Sequence, residues 1–220
     1  GTVIVMCPGA GLDVETTGSL TAIGTATSPI SISGEVNSAG YWSGINFSSN
    51  NPNNQLAYVT VRDGGSYWAW DYSNVYVNTQ AQLGISNCTI SNSSEYGMSA
   101  RESASITSFS NNTFSNNTKA GLNISAKHVG ALDEFSNYNV NNGENFINVE
   151  AATITNAQTW KKTSAPILFN DYSTIEAAVT VNPGANIQFE ASAGITIENS
   201  GTFSDVAQSS VRFHLFVGTL

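Results

Sequence analysis

The chain is short of charge. Only 10% of its 220 residues are charged, against roughly 25% in an ordinary soluble domain. The 16 acidic residues outnumber the seven lysines and arginines, so the formal net charge is −9. Such a chain repels phosphate backbones, because nucleic-acid binding depends on cations that displace counterions. We therefore expect no nucleic-acid partner.

Long apolar runs and helical patterns are also missing. No run approaches the roughly 18 to 20 apolar residues that span a bilayer, so the sequence predicts no membrane span. No convincing helix is visible, because no long segment carries apolar residues at a 3.6-residue period. Zinc, phosphate-loop and nucleophile-elbow motifs are absent, and we expect neither a metal nor a cofactor.

Small polar residues dominate instead. Ser, Thr and Asn form roughly a third of the chain, far above ordinary usage, and Gly occurs 19 times. These residues disfavour helix interiors. Short runs rich in Val, Ile, Phe and Thr recur between them, which is typical of strands. The composition therefore predicts an all-β chain.

The middle of the chain contains two successive copies of one pattern. CTISNSSEYGMSA, beginning at Cys88, aligns with NTFSNNTKAGLNI, beginning at Asn112, and a weaker copy (YVTVRDGG onward) precedes them. The matched positions are Thr89 and Thr113, Ile90 and Phe114, Ser91 and Ser115, Asn92 and Asn116, Gly97 and Gly121, and Met98 and Leu122. Each unit is too small to bury its own apolar face, so the units must stack.

The length of this repeat favours a parallel β-helix over an antiparallel sandwich. Units of about 24 residues, each with two or three short strands, are typical of the coils of a parallel β-helix. An antiparallel sandwich is the alternative, because it also uses short alternating strands joined by tight turns. The constant register favours the β-helix. We predict a right-handed parallel β-helix of about eight coils, with residues 1–220 forming a single solenoid domain.

The two ends of the chain resemble each other. Residues 1–34 align with residues 184–220 at an offset of 183, which places Gly11 on Gly194 and Gly18 on Gly201. The chain would then close one large repeat and begin another. We infer that it is a segment of a longer tandem-repeat protein.

Several strings together resemble a known family. GSLTAIGTATSPISISG, YVTVRDGG, FSNNTFSNNT and VTVNPGANIQFEASAGITI are similar to modules of right-handed parallel β-helix repeat proteins among bacterial secreted and surface proteins. The resemblance covers nearly the whole chain. It implies an extracellular or cell-surface protein, often adhesin-like, with a minority of relatives acting on polysaccharides. Fold alone does not fix function.

Aromatic residues cluster in SYWAWDYSNVY. Because pyranose rings stack on flat aromatic side chains, Tyr67, Trp68, Trp70 and Tyr72 are candidate glycan-binding residues. The alternative is packing, since Trp68 and Trp70 share one face of an extended segment and would fill or cap a coil.

Groups for catalysis are few. Arg62, Asp63 and Arg101 are the candidate catalytic residues, because β-helix polysaccharide lyases, which the chain resembles in fold, use acidic residues around calcium and an Arg or Lys base. If strands stack in register, four carboxylates would share one flank and bind a cation: Asp63, Asp71, Glu95 and Glu102. The alternative is that these are solvated turn residues. His128 and His214 have no metal-ligating neighbours in sequence, and we expect surface or strand-fitting roles for both.

The two cysteines, Cys7 and Cys88, are far apart in the sequence. Their separation is roughly three coils of about 24 residues each, on the order of 15 Å along the axis at ~4.8 Å per strand. A disulfide needs Cα atoms within about 7 Å. We predict two separate, mostly buried thiols.

Asn-rich stretches are expected at the corners of coils, because Asn tolerates left-handed backbone. Stacked copies would form amide ladders, with Asn92 over Asn116 as the clearest pair. N-glycosylation is an alternative use of the N-x-S/T sites at Asn46, Asn87, Asn92, Asn111, Asn116 and Asn123.

The most favoured function is that of a structural or adhesive repeat module, partnered end to end by neighbouring repeats or identical subunits. Binding or cleavage of a polysaccharide is the alternative, with a non-enzymatic role favoured. Ice binding is a third interpretation, since regular Thr columns order water. It is weakened by the expectation that Thr25, Thr27, Thr153 and Thr155 do not recur at the coil period.

Overall fold

Short strands follow one another along the whole chain. The structure is a computed structural model that describes residues 1–66, 70–205 and 214–215; for Trp70, His214 and Leu215 it describes the backbone alone. This part holds 25 strands and two short 3-10 helices, Trp70–Tyr72 and Ala126–Ala131. The all-β prediction is confirmed. The sandwich alternative is wrong, because all pairs between these strands are parallel.

One sheet, which we call the long sheet, has nine strands and extends from one end of the described chain to the other. Its strands in spatial order are β2 (Gly11–Val14), β5 (Gly44–Phe47), β8 (Val75–Val77), β11 (Met98–Ala100), β14 (Leu122–Ser125), β16 (Ile147–Glu150), β19 (Ile167–Phe169), β22 (Ile187–Phe189) and β25 (His214–Leu215). We call the segment from one of these strands to the next a rung.

Two further sheets complete the rungs of the first half. The six-stranded sheet contains β1 (Val3–Met6), β4 (Ile30–Gly34), β7 (Val59–Arg62), β10 (Thr89–Ser91), β13 (Thr113–Ser115) and β15 (Asn137–Val140). The four-stranded sheet contains β3 (Thr21–Ile23), β6 (Gln55–Ala57), β9 (Gln82–Ser86) and β12 (Ser105–Ser110). Each rung here visits all three sheets in turn.

The path changes at the second 3-10 helix. Ala126–Ala131 follows β14 where a strand of the four-stranded sheet would stand, and its first turn is capped by Ser125 Oγ, which accepts from Lys127 N at 3.3 Å. Beyond it lie two three-stranded sheets: β17 (Thr153–Ile154), β20 (Tyr172–Ile175) and β23 (Gly194–Ile197), and β18 (Gln158–Trp160), β21 (Ala178–Val181) and β24 (Thr202–Asp205).

The register predicted for the middle of the chain is confirmed. Thr89 pairs with Thr113, Ile90 with Phe114 and Met98 with Leu122, as the sequence alignment requires. The spacing is not constant along the chain, however. In the long sheet Gly11 pairs with Gly44 at the start, whereas Ile167 pairs with Ile187 near the end, so the later rungs are shorter.

A single apolar core runs through the stack. Strand residues alternate between the interior and the outside, so residues such as Val61, Ile90 and Phe114 stand over one another inside. One cluster of buried apolar side chains extends from Val14 to Phe189. Stacked interiors of this kind remove apolar surface from water at every rung, which is the main stabilising contribution to such a fold.

The corners are built from Asn in left-handed backbone, as predicted. Asn92, Asn116 and Asn141 have φ of 55°, 54° and 56°, and each precedes a buried or half-buried residue: Ser93, Asn117 and Asn142. Asn117 Oδ1 accepts from Ser93 N at 3.1 Å, and Asn142 Oδ1 accepts from Asn117 N at 2.9 Å. The ladder therefore runs through the residue after each left-handed Asn. It does not join Asn92 to Asn116; Asn92 Nδ2 donates instead to Oδ1 of Asp63, the left-handed residue at the same corner one rung earlier.

The cysteine prediction is confirmed in part. Cys7 and Cys88 are unbridged, but only Cys88 is buried; Cys7 is exposed. The aligned glycines of the two ends occupy the same local turn, since Gly18 N donates to Glu15 O and Gly201 N to Glu198 O. Their preceding strands nevertheless lie in different sheets, β2 in the long sheet and β23 in a three-stranded one.

The prediction that Thr153 does not recur at the rung spacing is wrong. Thr153 pairs with Thr174 and Thr174 with Thr196, and a parallel column joins Thr159, Thr180 and Ser204. The recurrence was missed in the sequence because the rungs of this half are shorter than the middle rungs, so the Thr residues are not spaced at the period of the middle rungs.

Candidate functional site

The predicted aromatic shelf falls largely outside the described part of the chain. Tyr67 and Trp68 lie outside the described residues, and the structure describes only the backbone of Trp70. Tyr72 is half-buried at the end of a 3-10 helix, with φ of 47°. Its carbonyl accepts from Ser93 Oγ at 2.9 Å. Its backbone therefore braces the corner of the next rung.

Arg62 and Asp63 form a corner cluster. Asp63 is fully buried in left-handed backbone (φ 72°), and its Oδ2 lies 3.2 Å from Arg62 Nη1. Asn92 Nδ2 donates to Asp63 Oδ1 at 2.7 Å, and Arg62 Nη1 donates to Asn37 Oδ1 at 3.2 Å. Trp42 Nε1 donates to the Arg62 carbonyl at 2.7 Å. These contacts join the chain segments at the ends of three neighbouring strands, β4, β7 and β10.

Arg101 lies in a separate group at the end of β11. Its Nη2 donates to Asp71 Oδ1 at 2.7 Å, its Nη1 reaches Glu150 Oε2 at 3.5 Å, and its Nε donates to Tyr76 Oη at 2.8 Å. The guanidinium also lies 5.6 Å from the centroid of the Tyr76 ring. One cation thus joins two carboxylates from distant parts of the sequence.

Beside this group lies a row of buried polar side chains on the side of the long sheet that faces away from the apolar core. Tyr76, Ser99, Asn123 and Asn148 stand in register on β8, β11, β14 and β16, and their strand neighbours point into the core. We call this row the polar face. Asn148 Nδ2 donates to Asn123 Oδ1 at 2.7 Å, and Asn123 Nδ2 donates to Glu150 Oε1 at 3.0 Å.

One member of the polar face, Ser99, is buried without a hydrogen-bond partner among the residues that the structure describes. Ser99 is fully buried, and its Oγ has no partner in the described part of the protein. A buried hydroxyl of this kind costs free energy unless something pairs with it. It lies between Tyr76 and Asn123, so it marks the centre of the row.

The polar face has two rims. Arg101 and Glu150 lie at the carboxyl ends of its strands, and a second ion pair lies before the amino ends. Lys119 Nζ lies 2.7 Å from Glu95 Oε2 and 5.2 Å from the centroid of the Tyr96 ring. Burial raises the pKa of Glu144, and nearby Lys119 opposes that rise. Burial likewise raises the pKa of Asp71, against the attraction of Arg101; Glu150 and Glu95 add to the rise.

The four carboxylates expected to share one cation each have a separate partner. Asp63 pairs with Arg62, Asp71 with Arg101, Glu95 with Lys119, and Glu102 with Lys127. Within residues 1–66, 70–205 and 214–215, no group of three or more His, Cys, Asp or Glu is placed to hold a metal. The structure does not assemble the predicted calcium flank.

The chemistry of Arg101 is that of a fixed cation. Burial lowers its pKa, but the Tyr76 hydroxyl and the carboxylates of Asp71 and Glu150 outweigh burial and raise it. A guanidinium held in this way does not give up a proton at neutral pH. Arg101 is therefore suited to binding an anion or a hydroxyl rather than to acting as a base.

His128 has a packing role. It is buried, and its Nε2 donates to the Arg101 carbonyl at 2.7 Å. Burial lowers its pKa, so the ring is neutral at pH 7. The side chain of His214 lies outside the described part.

Sequence reasoning missed Glu150, Asn123 and Asn148 as members of this surface. The repeat offset of 24 places Ile147 beside Asn123, whereas Asn148 takes that position because β15 carries one extra residue relative to β13. Glu150 then follows two positions later, on the same face.

Comparison with protein-family models, with curated proteins and with solved structures gives no match. No helix in the described ranges is long and apolar enough to cross a membrane.

Proposed function

We propose that the chain is a right-handed parallel β-helix module of a longer bacterial cell-surface or secreted protein, with a structural and adhesive role. The observation that carries this proposal is the unbroken apolar core beneath the parallel strands of the long sheet, from Val14 on β2 to Phe189 on β22. The handedness follows from the general rule that crossovers between parallel strands are right-handed in about 98% of cases.

The cross-rung bonds support a stiff rod. Besides the sheet ladders, the side chains of Asn117 and Asn142 each bond to the backbone of an earlier rung at a corner. A stack tied at its faces and its corners resists bending and local opening, because each rung is held by both neighbours. These properties suit a spacer that projects an adhesive surface from a cell.

One end of the stack supports end-to-end association. In the described residues, the first strand of each of the three sheets, β1, β2 and β3, has a partner on one side only. Val3 and Val5 on β1 are 68% and 56% exposed, and Ile23 on β3 is 56% exposed. An open parallel edge with apolar side chains is a template for another strand. The likeness of residues 184–220 to residues 1–34 indicates the occupant: another rung of the same kind.

Light scattering of the 220-residue protein over a range of concentrations tests this proposal. We expect concentration-dependent oligomers, and the double substitution Val3→Lys with Val5→Lys should shift the protein to monomer by placing charge on the open edge. Phe135→Lys is the matched control, because Phe135 is 80% exposed on a loop. Strict monomers at all concentrations, or equal loss of association in the control, would contradict the proposal.

Polysaccharide binding is a second candidate, favoured by the polar face. Ser99 Oγ has no partner in the described part, and Asp71, Arg101 and Glu150 line the rim beside it. The row itself is 0 to 9% exposed, so a hydroxyl-rich polymer would bond to the rim side chains Arg101 and Glu150, which are 38% and 36% exposed. Binding is favoured over cleavage because Arg101 stays protonated.

Affinity electrophoresis in gels that contain acidic or neutral polysaccharides tests this candidate, with released oligosaccharides measured in the same samples. Retardation that is lost in Arg101→Gln and kept in Lys162→Gln would support binding at the polar face. Thermal unfolding of both variants shows whether they are folded. Unretarded migration of the wild type in all gels would count against it.

A further inference from the structure

A cavity of about 400 Å³ opens where the chain changes its path. It lies between the 3-10 helix Ala126–Ala131 and β18. Its polar lining comes from Lys127, Asn156, Gln158, Thr159 and Lys161. The volume falls within the range of small-molecule sites, roughly 300 to 1,000 Å³.

The wall of this cavity is fixed by Gln158. Its Oε1 accepts from Gly130 N at 3.1 Å and from Trp160 Nε1 at 2.8 Å, and its Nε2 donates to the Lys127 carbonyl at 2.9 Å. Trp160 itself is fully buried. One amide therefore joins the 3-10 helix to β18, so the cavity is already formed before any ligand enters.

The charge of the cavity contrasts with that of the chain. Two of the seven cationic residues of a chain with net charge −9 line it. Lys161 Nζ donates to the Leu132 carbonyl at 3.0 Å, and in the described residues no carboxylate lies within 4.0 Å of it. Lys127 Nζ lies 2.9 Å from Glu102 Oε1, but the Glu102 side chain is 54% exposed, and exposed ion pairs of this kind are weak.

We propose that this cavity binds the carboxylate of an acidic sugar unit. The two ammonium groups of Lys127 and Lys161 would hold the anion. The Asn156 amide and the Thr159 hydroxyl are exposed at the same opening and would bond to ring hydroxyls. A bare anion would use only the lysines and leave these groups to water. The inference does not depend on association of the stack or on the polar face.

Titration of the 220-residue protein with sodium glucuronate, followed by amide chemical shifts, tests the proposal. We expect saturable shifts confined to residues around the cavity. Glucose, which lacks the charge, and acetate, which lacks the ring, should each bind at least tenfold more weakly. Equal affinity for acetate and glucuronate, or no saturable binding of glucuronate, would overturn the proposal.

Two substitutions and a control locate the site. Lys161→Gln removes the charge and keeps a donor for the Leu132 carbonyl, so the fold should survive while glucuronate affinity falls at least tenfold. Lys127→Gln should weaken binding in the same direction and serves as the second test if Lys161→Gln does not fold. Lys162→Gln makes the same charge change on the adjacent residue, which does not line the cavity. A similar loss in Lys162→Gln would show nonspecific charge attraction and overturn the proposal.

Discussion

The side-chain oxygen of Asn112 accepts a hydrogen bond from the backbone N–H of Cys88, one rung earlier, at 3.0 Å. Asn112 Nδ2 also donates to the Ile85 carbonyl at 3.2 Å, and the residue is 1% exposed. A single side chain thus pairs two backbone groups of the preceding rung at a corner where the sheet ladder has ended. Such corners require a side-chain partner, because buried backbone groups are otherwise left without one.

Asn112→Ala should therefore be strongly destabilising. It leaves the buried Cys88 N–H unpaired and removes a bond to the Ile85 carbonyl, which we expect to lower the free energy of unfolding by about 2 to 4 kcal/mol. Urea unfolding followed by circular dichroism measures the change. Asn53→Ala, at an exposed corner, is the control and should change stability by less than about 0.5 kcal/mol. Equal effects in both variants would contradict a role for the ladder.

The aromatic stack inside the middle rungs is a second test of the core. Phe109, Phe114 and Tyr138 lie with ring centroids 6.0 to 6.1 Å apart and nearly parallel. Phe114 is fully buried, so Phe114→Ala should cost about 3 to 5 kcal/mol through lost contacts and a cavity. Phe135→Ala, on an exposed loop, should be nearly neutral. A loss below about 1 kcal/mol for Phe114→Ala would mean that the rungs repack freely.

The middle rungs could be predicted from sequence because they carry no insertions. Thr89 and Thr113 occupy equivalent positions of successive repeats, and their strands lie side by side in the same register. In the first rung longer corners separate the strands, so the repeat period is no longer visible in the sequence. Gly11 there pairs with Gly44, which is well beyond one repeat length. The shift of path at Ala126–Ala131 also lacks a sequence signal, since this segment forms a 3-10 helix too short to show a helical period.

The polar groups were harder to predict than the core. Apolar positions follow from alternation, but the partner of an ionic side chain depends on how far each loop extends. Arg101 meets Asp71 and Glu150, which lie on other rungs and are distant from it in sequence. No spacing rule links them, whereas stacking brings all three to one edge of the long sheet.

Stability should depend on the protonation of His128. Burial lowers its pKa in the folded protein, whereas in the unfolded chain the value is about 6.5. Above that value neither state is charged at this residue. As the pH falls below it, the unfolded chain binds a proton more readily, so the free energy of unfolding decreases until the pH passes the folded pKa.

Urea unfolding of wild type and His128→Gln at pH 7, 6 and 5 measures this contribution. Gln keeps a donor for the Arg101 carbonyl and does not titrate. The stability of the wild type relative to the variant should therefore fall between pH 7 and pH 5. A constant difference over this range would show that His128 is not the titrating group.

The Arg101 group predicts two opposite changes in the pKa of Asp71. Burial raises this pKa, the attraction of Arg101 lowers it, and the repulsion of Glu150 raises it. Arg101→Gln should therefore raise the pKa of Asp71 further, and Glu150→Gln should lower it. Carboxyl carbon chemical shifts followed over a pH titration report both. Shifts of the same sign in the two variants would contradict the contacts at this rim.

The two cysteines should differ sharply in reactivity. Burial raises the pKa of Cys88 to about 11, so at pH 8 roughly one molecule in a thousand carries the thiolate that reacts. Cys7 is exposed and unbridged. A thiol reagent should therefore modify one cysteine rapidly in the folded protein and the second only in denaturant. Cys7→Ser is the control and should be inert until it unfolds.

Because Asn112 closes the corner over the Cys88 backbone, Asn112→Ala should speed modification of Cys88 under native conditions. Faster modification would link exposure of this thiol to opening of one rung. Rapid labelling of Cys88 in the folded wild type would mean that the corner does not close the stack.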